Sequence, residues 1–551
     1  MAALLLELLS GEIPMSMQKK ATEEIGKNVV DAVTLYYKNY NNFCKEDIIV
    51  SYDLYSARRI GLFINNLPDL HSELVLIKSI IKGPKIDCDD KILAAFMKKH
   101  EITNKADLIE DGVNYVYHQK ICGKKEILKN LGIIIRDAIL SYRWEKSMKW
   151  GSYEIEWVRP LYSVLCMYNE DVIPFTFGHL HSSNKTVGHR IYSERHDGYI
   201  PPITTLQSGI DNLVGNYFGE CITISHASDY ANILKKYGVI VSSMERVSRI
   251  RENISAIIPD STVMIEDEML LHTNSAMTEF PSVLLGTISE KYMSLPREVL
   301  ITTVKHHQRC MMLQYKSEGE IAPYFIIVND IASAHYDVDS VIRGNEKVVQ
   351  ARLEDARFIF LKECNTSLDV LIDKLKGLMF HEKIGSMYQK VERMKNIGMQ
   401  LYDKIKHYFA TTVESYSIER ACYLSKMDLT TEMVSEFPEL QGIIGAYYAK
   451  LHGESDDVVM AIKEHYHPLG KGDAMLPVST LGIVLSLSDR LDTLNEMFEI
   501  GIKPSSTKDP YALRRAAISI NRILACYGII EDDIMQNFMR ADVIEFLREK
   551  R

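Results

Sequence analysis

The 551-residue sequence predicts a multidomain protein with an α+β N-terminal half and an all-α C-terminal half. Two observations carry this. The length exceeds what one hydrophobic core fills, and at roughly 150 residues per domain it calls for three or four. Before about residue 335, strand-like apolar runs alternate with stretches of helical period; after Val341 the helical period continues almost unbroken. The change of class is placed at 335–345, and the domains expected are 1–155, 156–335, 336–502 and 503–551.

The first ten residues, M-A-A-L-L-L-E-L-L-S, read as a strand that ends in a turn at Pro14. A helix is expected from Met15 to Tyr40, where Met17, Ala21, Ile25, Val29, Ala32 and Tyr36 keep a 3.6 period. Ile48–Leu54 and Ile60–Leu67 read as short strands, and Lys82-Gly83-Pro84-Lys85 as a loop. Residues 89–142 read as mostly helical with a short β interruption at Val113–Tyr117. From Trp157 to Tyr192 the pattern is β-like, and 201–222 reads as an insert of low periodicity. In the helical half, Pro438 breaks the chain ahead of an apolar stripe (Leu440, Ile443, Ile444, Tyr447, Tyr448, Leu451). Gly442, Gly445, Ala446 and Ala449 line a second face that admits close approach of another backbone.

Composition narrows the classes. With 46% hydrophobic and 25% charged residues the chain reads as soluble and globular, and its net charge of −10 argues against a broad nucleic-acid-coating surface. Any RNA footprint must be local, and no DNA partner is expected. Nine scattered cysteines without a C-x-x-C pair exclude zinc-ribbon and thioredoxin readings and suit a cytoplasmic protein. The apolar start carries Glu7 and lacks a basic region, so it is not read as a signal sequence, and no run suffices to span a bilayer.

Ten segments in order then reach a family: L-L-L-E-L-L-S-G-E-I-P (4–14), S-A-R-R-I-G-L (56–62), K-G-P-K (82–85), W-E-K-S-M-K-W-G (144–151), W-V-R-P-L (157–161), G-H-R (188–190), L-P-R-E-V-L-I-T-T-V-K-H-H-Q (295–308), G-N-E-K-V-V-Q-A-R-L-E-D-A-R-F (344–358), K-M-D-L-T-T-E-M-V-S-E-F-P-E-L-Q-G (426–442) and K-D-P-Y-A-L-R-R-A-A (508–517). Together they resemble the β subunit of bacterial glycyl-tRNA synthetase. The resemblance implies an α2β2 enzyme whose α subunit makes glycyl-adenylate from glycine, ATP and Mg²⁺, while this chain binds tRNA(Gly) and no cofactor of its own. It also implies an N-terminal RNA-handling region, a B3/B4-like domain over 156–335, an HD-like helical domain over 336–502, and from 503 the start of a helical anticodon-binding domain. The family's last domain continues well past the K-D-P-Y-A-L-R-R segment, so a truncated form of it is expected here.

The candidate RNA-binding residues are Arg58, Arg59, Arg143, Lys146, Lys149, Trp150, Arg159, Arg190, Arg343, Lys347, Lys508, Arg514 and Arg515. Around residue 150, indoles interleaved with ammonium groups are the combination that stacks on bases and neutralises phosphate; a tryptophan core anchor with solvated lysines fits the same residues. Arg343, Lys347, Arg352 and Arg357 lie among carboxylates and also fit a surface i, i+4 network. Asp509 is expected to cap a helix with Pro510 at its first position, so that Arg514 and Arg515 project from the second turn. His381, Asp428 and Asp489, with Asp492 beside the last, occupy HD-like positions. Met427 stands where the His-Asp pair of a metallohydrolase needs imidazole, so no metal centre is expected, and these groups are read as buried cross-links between helices. His465 and His467 are read as helix-end or loop histidines. The rival function is an HD-type phosphohydrolase acting on a nucleotide or RNA end.

Overall fold

The computed structural model describes residues 2–38, 45–70, 75–190, 221–317, 319–331, 336–469, 475–504 and 508–550. They form two compact units. The first comprises Met1–Gly286, Arg309–Lys316 and Ile326–Arg343; the second comprises Thr287–Gln308, Ser317–Phe325 and Gly344–Arg551. The predicted change of class at 335–345 coincides with the start of a long helix, Val338–Cys364, and the described elements after it are helices and 3₁₀ turns plus one two-stranded hairpin. The helix Arg297–Gln308 nevertheless groups with the second unit, which a linear division could not anticipate.

In the first unit, strand β1 (Ala2–Ser10) is buried over its whole length. Alternate side chains point to opposite faces, so one strand serves two cores. Leu4, Leu6 and Leu8 pack with helix α1 (Met15–Tyr37), and Ala3 and Leu5 pack with Leu165, Ile224 and Leu234. Strand β2 (Ile49–Ser51) and strand β3 (Arg59–Leu67) continue the sheet on one side of β1, and Leu161–Tyr168 lies antiparallel on the other. The α1 helix stops at Tyr37, before the expected Tyr40.

Two local expectations are corrected. Lys82–Lys85 is not a loop but the end of strand β4 (Val75–Lys85), which pairs antiparallel with the strand Asn114–Cys122. Its register shifts between Lys82 and Lys85, so an irregularity absorbs the Gly-Pro pair without ending the strand. The "β interruption" is correspondingly a full nine-residue strand, which also pairs with Leu108–Glu110 between helices Asp90–Lys99 and Lys124–Ser141. Most of the expected insert 201–222 lies outside the described residues; Cys221–Thr223 is a strand paired with Lys185–Val187.

The second unit is organised on the helix Thr480–Glu499. It is buried on nearly every side, because helices Met387–Ile405, Ser415–Leu424, Asp456–Glu464 and Leu513–Tyr527 pack around it. Ser479 caps its start, its hydroxyl accepting from Gly482 N–H at 3.0 Å.

Candidate functional site

Three places collect chemistry-bearing side chains: a buried charge cluster in each unit and an aromatic loop in the first. In the helical unit, Asp489 and Asp492 stand one turn apart on Thr480–Glu499, and Lys390 and Arg393 stand one turn apart on Met387–Ile405, so the two pairs face as a ladder. Lys390 Nζ lies 2.9 Å from Asp489 Oδ1 and donates to Asp492 Oδ2 at 3.0 Å, while Arg393 Nε donates to Asp492 Oδ1 at 2.6 Å. A second ammonium closes the cluster. Lys426 Nζ donates to Asp489 Oδ2 at 2.7 Å and to His465 Nε2 at 3.0 Å, and the other ring nitrogen of His465 meets Ile462 O at 2.7 Å.

The electrostatics follow from burial. His465 is pushed well below the usual histidine range by desolvation and by Lys426, so it is the neutral acceptor. Burial lowers Lys426 to about 8 despite Asp489. Burial alone would raise Asp489, but Lys390 and Lys426 overcome it and hold the carboxyl well below its ordinary value. Lysine ammoniums therefore occupy the space between imidazole and carboxylates that a divalent ion would need, and a further cation there would meet two positive charges. Among the described residues no group of three or more His, Cys, Asp and Glu is arranged to hold a metal. A metal centre does not fit these residues.

The other two HD-like positions lie apart in chemistry. His381 ends the short strand Met379–His381, its Nδ1 accepts from Lys383 N–H at 3.1 Å, and its ring centroid lies 5.8 Å from that of Tyr511. Asp428 is fully buried and accepts from Gly442 N–H at 2.6 Å through Oδ2, and its Oδ1 has no hydrogen-bond partner among the described residues. Gly442 takes φ +82° at the start of helix Ile443–Leu451, and a Cβ on Gly445 would come within 2.8 Å of Asp428 Oδ2. The small face thus admits a carboxylate at Gly445, while at Gly442 a Cβ would meet the Tyr466 ring at 2.8 Å and Ile462 O at 3.2 Å. Of the acids in 426–442, Asp428 is buried, whereas Glu432, Glu436 and Glu439 are exposed.

Burial raises the Asp428 carboxyl to about 6. A raised folded-state value means the carboxyl's relative stabilisation of the fold is complete below its unfolded value near 4 and is lost as pH rises through about 6. Asp428→Asn is therefore expected to raise the stability of the chain by about 1–2 kcal/mol at pH 8 and to change it little at pH 4, read by chemical denaturation at both.

In the first unit, Glu7 and Glu279 hold the S-A-R-R pair. Arg59 donates to Glu279 Oε1 at 2.9 Å, Glu7 Oε2 at 2.8 Å and Val187 O at 2.6 Å; Arg58 donates to Glu279 Oε2 at 2.6 Å. Both guanidinium groups are buried. Burial alone would raise Glu279, but the two arginines hold it well below the carboxylate range. Arg58 and Arg59 are corrected from RNA contacts to internal ties, because their donors are directed to protein acceptors.

The remaining candidates sit at the surface. Arg143, Lys146, Lys149, Arg159, Arg190, Arg343, Lys347, Lys508 and Arg515 are exposed, and Trp150 and Arg514 are half-buried. Arg190 pairs with Glu12 at 2.6 Å, Arg159 donates to Val158 O, and Arg343 lies 4.0 Å from Asp337. The helix after Pro510 begins only at Leu513, with Ala512 in the left-handed region. Asp509 still caps it, accepting from Leu513 N–H at 2.8 Å and Arg514 N–H at 3.0 Å, but Arg514 and Arg515 fall in its first turn rather than its second. Lys390, Lys426 and His465 are the buried functional-looking groups that the sequence did not single out as a set. No local spacing marks them, because one helix, Met387–Ile405, and the ends of two others, Ser415–Leu424 and Asp456–Glu464, bring them together.

Comparison with known proteins adds an independent line. The family model described as "Glycyl-tRNA synthetase beta subunit" matches residues 4–542. The glycine–tRNA ligase β subunit of Rickettsia typhi is 34% identical over 544 residues, covering 98% of this chain and 73% of the relative. That of Rickettsia canadensis is 35% identical over 551 residues, covering 99% of this chain and 74% of the relative.

Proposed function

The chain belongs to the glycyl-tRNA synthetase β-subunit family, and on that footing we propose that it is the tRNA-binding β subunit of a glycine–tRNA ligase. The observation that carries the reading is the extent of the match, which runs through both compact units without a break in family assignment. Attachment of glycine to tRNA(Gly) is then the activity of the complex. Glycyl-adenylate forms from glycine, ATP and Mg²⁺ in the partner α subunit, within a cytoplasmic α2β2 assembly. Two features are in keeping with a chain that does not itself carry out the activation step. The helical unit, read as HD-like, carries Lys390 and Lys426 in its polar centre rather than ligands for an ion. Its paired charges join helices. The helical end that begins at Leu513 is read as the opening of an anticodon-binding domain, with Arg514 and Arg515 toward the RNA.

The phosphohydrolase alternative has no support. It requires His381, Asp428 and Asp489 around one ion, and these three sit in separate hydrogen-bond environments, Asp489 already neutralised by ammonium groups. The partnership is tested by pull-down: the tagged chain is expected to retain a glycine–tRNA ligase α subunit from a related bacterium through gel filtration. Elution of the two as separate species would count against it.

A further inference from the structure

A cavity of about 320 Å³ lies beneath the loop 143–157 in the first unit, lined among others by Tyr142, Arg143, Trp144, Ser147, Glu156 and Trp157. This is the lower end of the size range of small-ligand sites. The loop is pinned at its base, where Met148 and Trp157 exchange both backbone hydrogen bonds at 2.8 and 3.1 Å. Its wall is a fixed aromatic ladder. Tyr142, Trp144 and Trp157 meet edge to face, with centroids 5.1 and 4.9 Å apart, and Trp157 is only 2% exposed. Rigid rings of this kind present π surface to a planar guest at little entropic cost.

Two further features point to the guest's chemistry. Among the described residues the buried indole N–H groups of Trp144 and Trp157 have no acceptor, which a fold seldom tolerates for packing alone. At the rim, the exposed Glu156 carboxylate accepts from Ser147 Oγ at 3.4 Å, lies 3.9 Å from Lys149 Nζ and has acceptor positions to spare, while Arg143 and Lys146 are exposed cations that pair with no carboxylate among the described residues. An aromatic wall, acceptors at one edge and uncommitted cations outside it match a planar heterocycle that bears an amino group and is attached to phosphate.

We propose that this cavity receives one unpaired, amino-bearing nucleobase of the bound RNA, with the adjoining phosphates on Arg143 and Lys146. The assignment rests on the tRNA-binding reading and names where in the first unit a single-stranded nucleotide is held. Stacking supplies the attachment, and Glu156 discriminates by accepting from the exocyclic amine, which uridine lacks.

The chain's three tryptophans, Trp144, Trp150 and Trp157, all lie in this segment, so intrinsic emission reports on the site directly. The full chain is titrated with a small RNA hairpin bearing a single-stranded tail of adenosine and cytidine, with the same hairpin bearing a uridine tail, and with the blunt hairpin. AMP and CMP form a separate arm, and tRNA(Gly) binding is measured in parallel. The amino-bearing tail is expected to quench emission and to bind about tenfold tighter than the blunt hairpin, as one stacked base would give. Ser147→Phe, which fills the cavity from its exposed rim, is expected to abolish both effects while leaving blunt-hairpin binding unchanged; Arg143→Gln with Lys146→Gln should weaken tailed RNA as well. Equal binding of tailed and blunt hairpins with unaltered emission, or a tail preference that survives Ser147→Phe, would overturn the assignment. Full quenching by AMP or CMP with none by tailed RNA would make this a free-nucleotide site and overturn it too. Binding of tRNA(Gly) with no tail preference sinks only the cavity assignment, whereas failure to bind any RNA sinks the tRNA-binding reading and this one together.

Discussion

Replacing Asp489 by alanine is expected to destabilise the helical unit by about 3–5 kcal/mol, the range for breaking a buried ion pair from one side. The carboxylate is the common partner of Lys390 at 2.9 Å and Lys426 at 2.7 Å, and both ammonium groups are buried. Without it, Lys390 keeps Asp492, but the hydrogen-bond and ring partners left to Lys426 among the described residues are the neutral His465 ring and the face of Tyr466, with the Asp428 carboxyl acting from farther away. The cost therefore falls mainly on Lys426, and Asp489→Ala combined with Lys426→Met should recover a large part of it. The pH dependence has a definite sign. Asp489 is depressed in the fold, so its stabilisation is present above the ordinary carboxylate value and lost as pH falls below it. Chemical denaturation of wild type and variants at pH 7 and at about pH 2.5, inside the window that runs from the ordinary carboxylate value down toward the depressed one, reads both effects, and the gap between wild type and Asp489→Ala should narrow in acid. An equal loss from Asp489→Ala in the presence and absence of Lys426→Met would show that the ammonium is not what the carboxylate holds.

Glu279→Ala is the second large effect, again about 3–5 kcal/mol, because it leaves Arg58 and Arg59 buried with one carboxylate, Glu7, between them. Glu7 already accepts from Thr186 Oγ1 and Tyr230 OH as well as from Arg59, so it cannot turn to Arg58 without breaking those bonds. Glu279→Gln should lose less than alanine, since the amide oxygen still accepts from one guanidinium. Thermal unfolding of the first unit's near-ultraviolet signal, dominated by its tryptophans, gives the comparison. A loss under about 1 kcal/mol for Glu279→Ala would mean the arginines reach water instead, and would return them to the list of possible RNA contacts.

How far the sequence could be read depended on how local the determining contacts were. Strand β1 is legible because a strand buried on both faces reads as a near-continuous apolar run, as Ala2–Ser10 does, whereas the buried pairing of Glu7 with Arg59 left no local mark. Helix α1 is legible from its apolar residues at helical period. Lys82–Lys85 was not, since Gly-Pro signals a turn in isolation and only the opposing strand shows that an irregular register accommodates it. The helix after Asp509 begins later than its capping residue suggests, because Asp509 reaches forward to Leu513 and Arg514 across a turn. In the candidate sites, Met427 stood where a metal site would need imidazole, and the structure puts ammonium groups beside Asp489. The two lysines that fill the centre were invisible, because Lys390 and Lys426 become neighbours only when their helices close on Asp489. Arg58 and Arg59 looked like RNA ligands for the opposite reason: the carboxylate that claims both, Glu279, lies more than two hundred positions away.

The central claim is that this chain is the obligatory β component of glycine attachment to tRNA. Charging of tRNA(Gly) with labelled glycine by a related glycine–tRNA ligase α subunit, alone and with this chain added, tests it most directly. The expected result is that glycyl-adenylate formation is present with the α subunit alone while glycyl-tRNA accumulates only when both chains are supplied. Glycyl-tRNA formation by the α subunit alone at the rate of the mixture would contradict it.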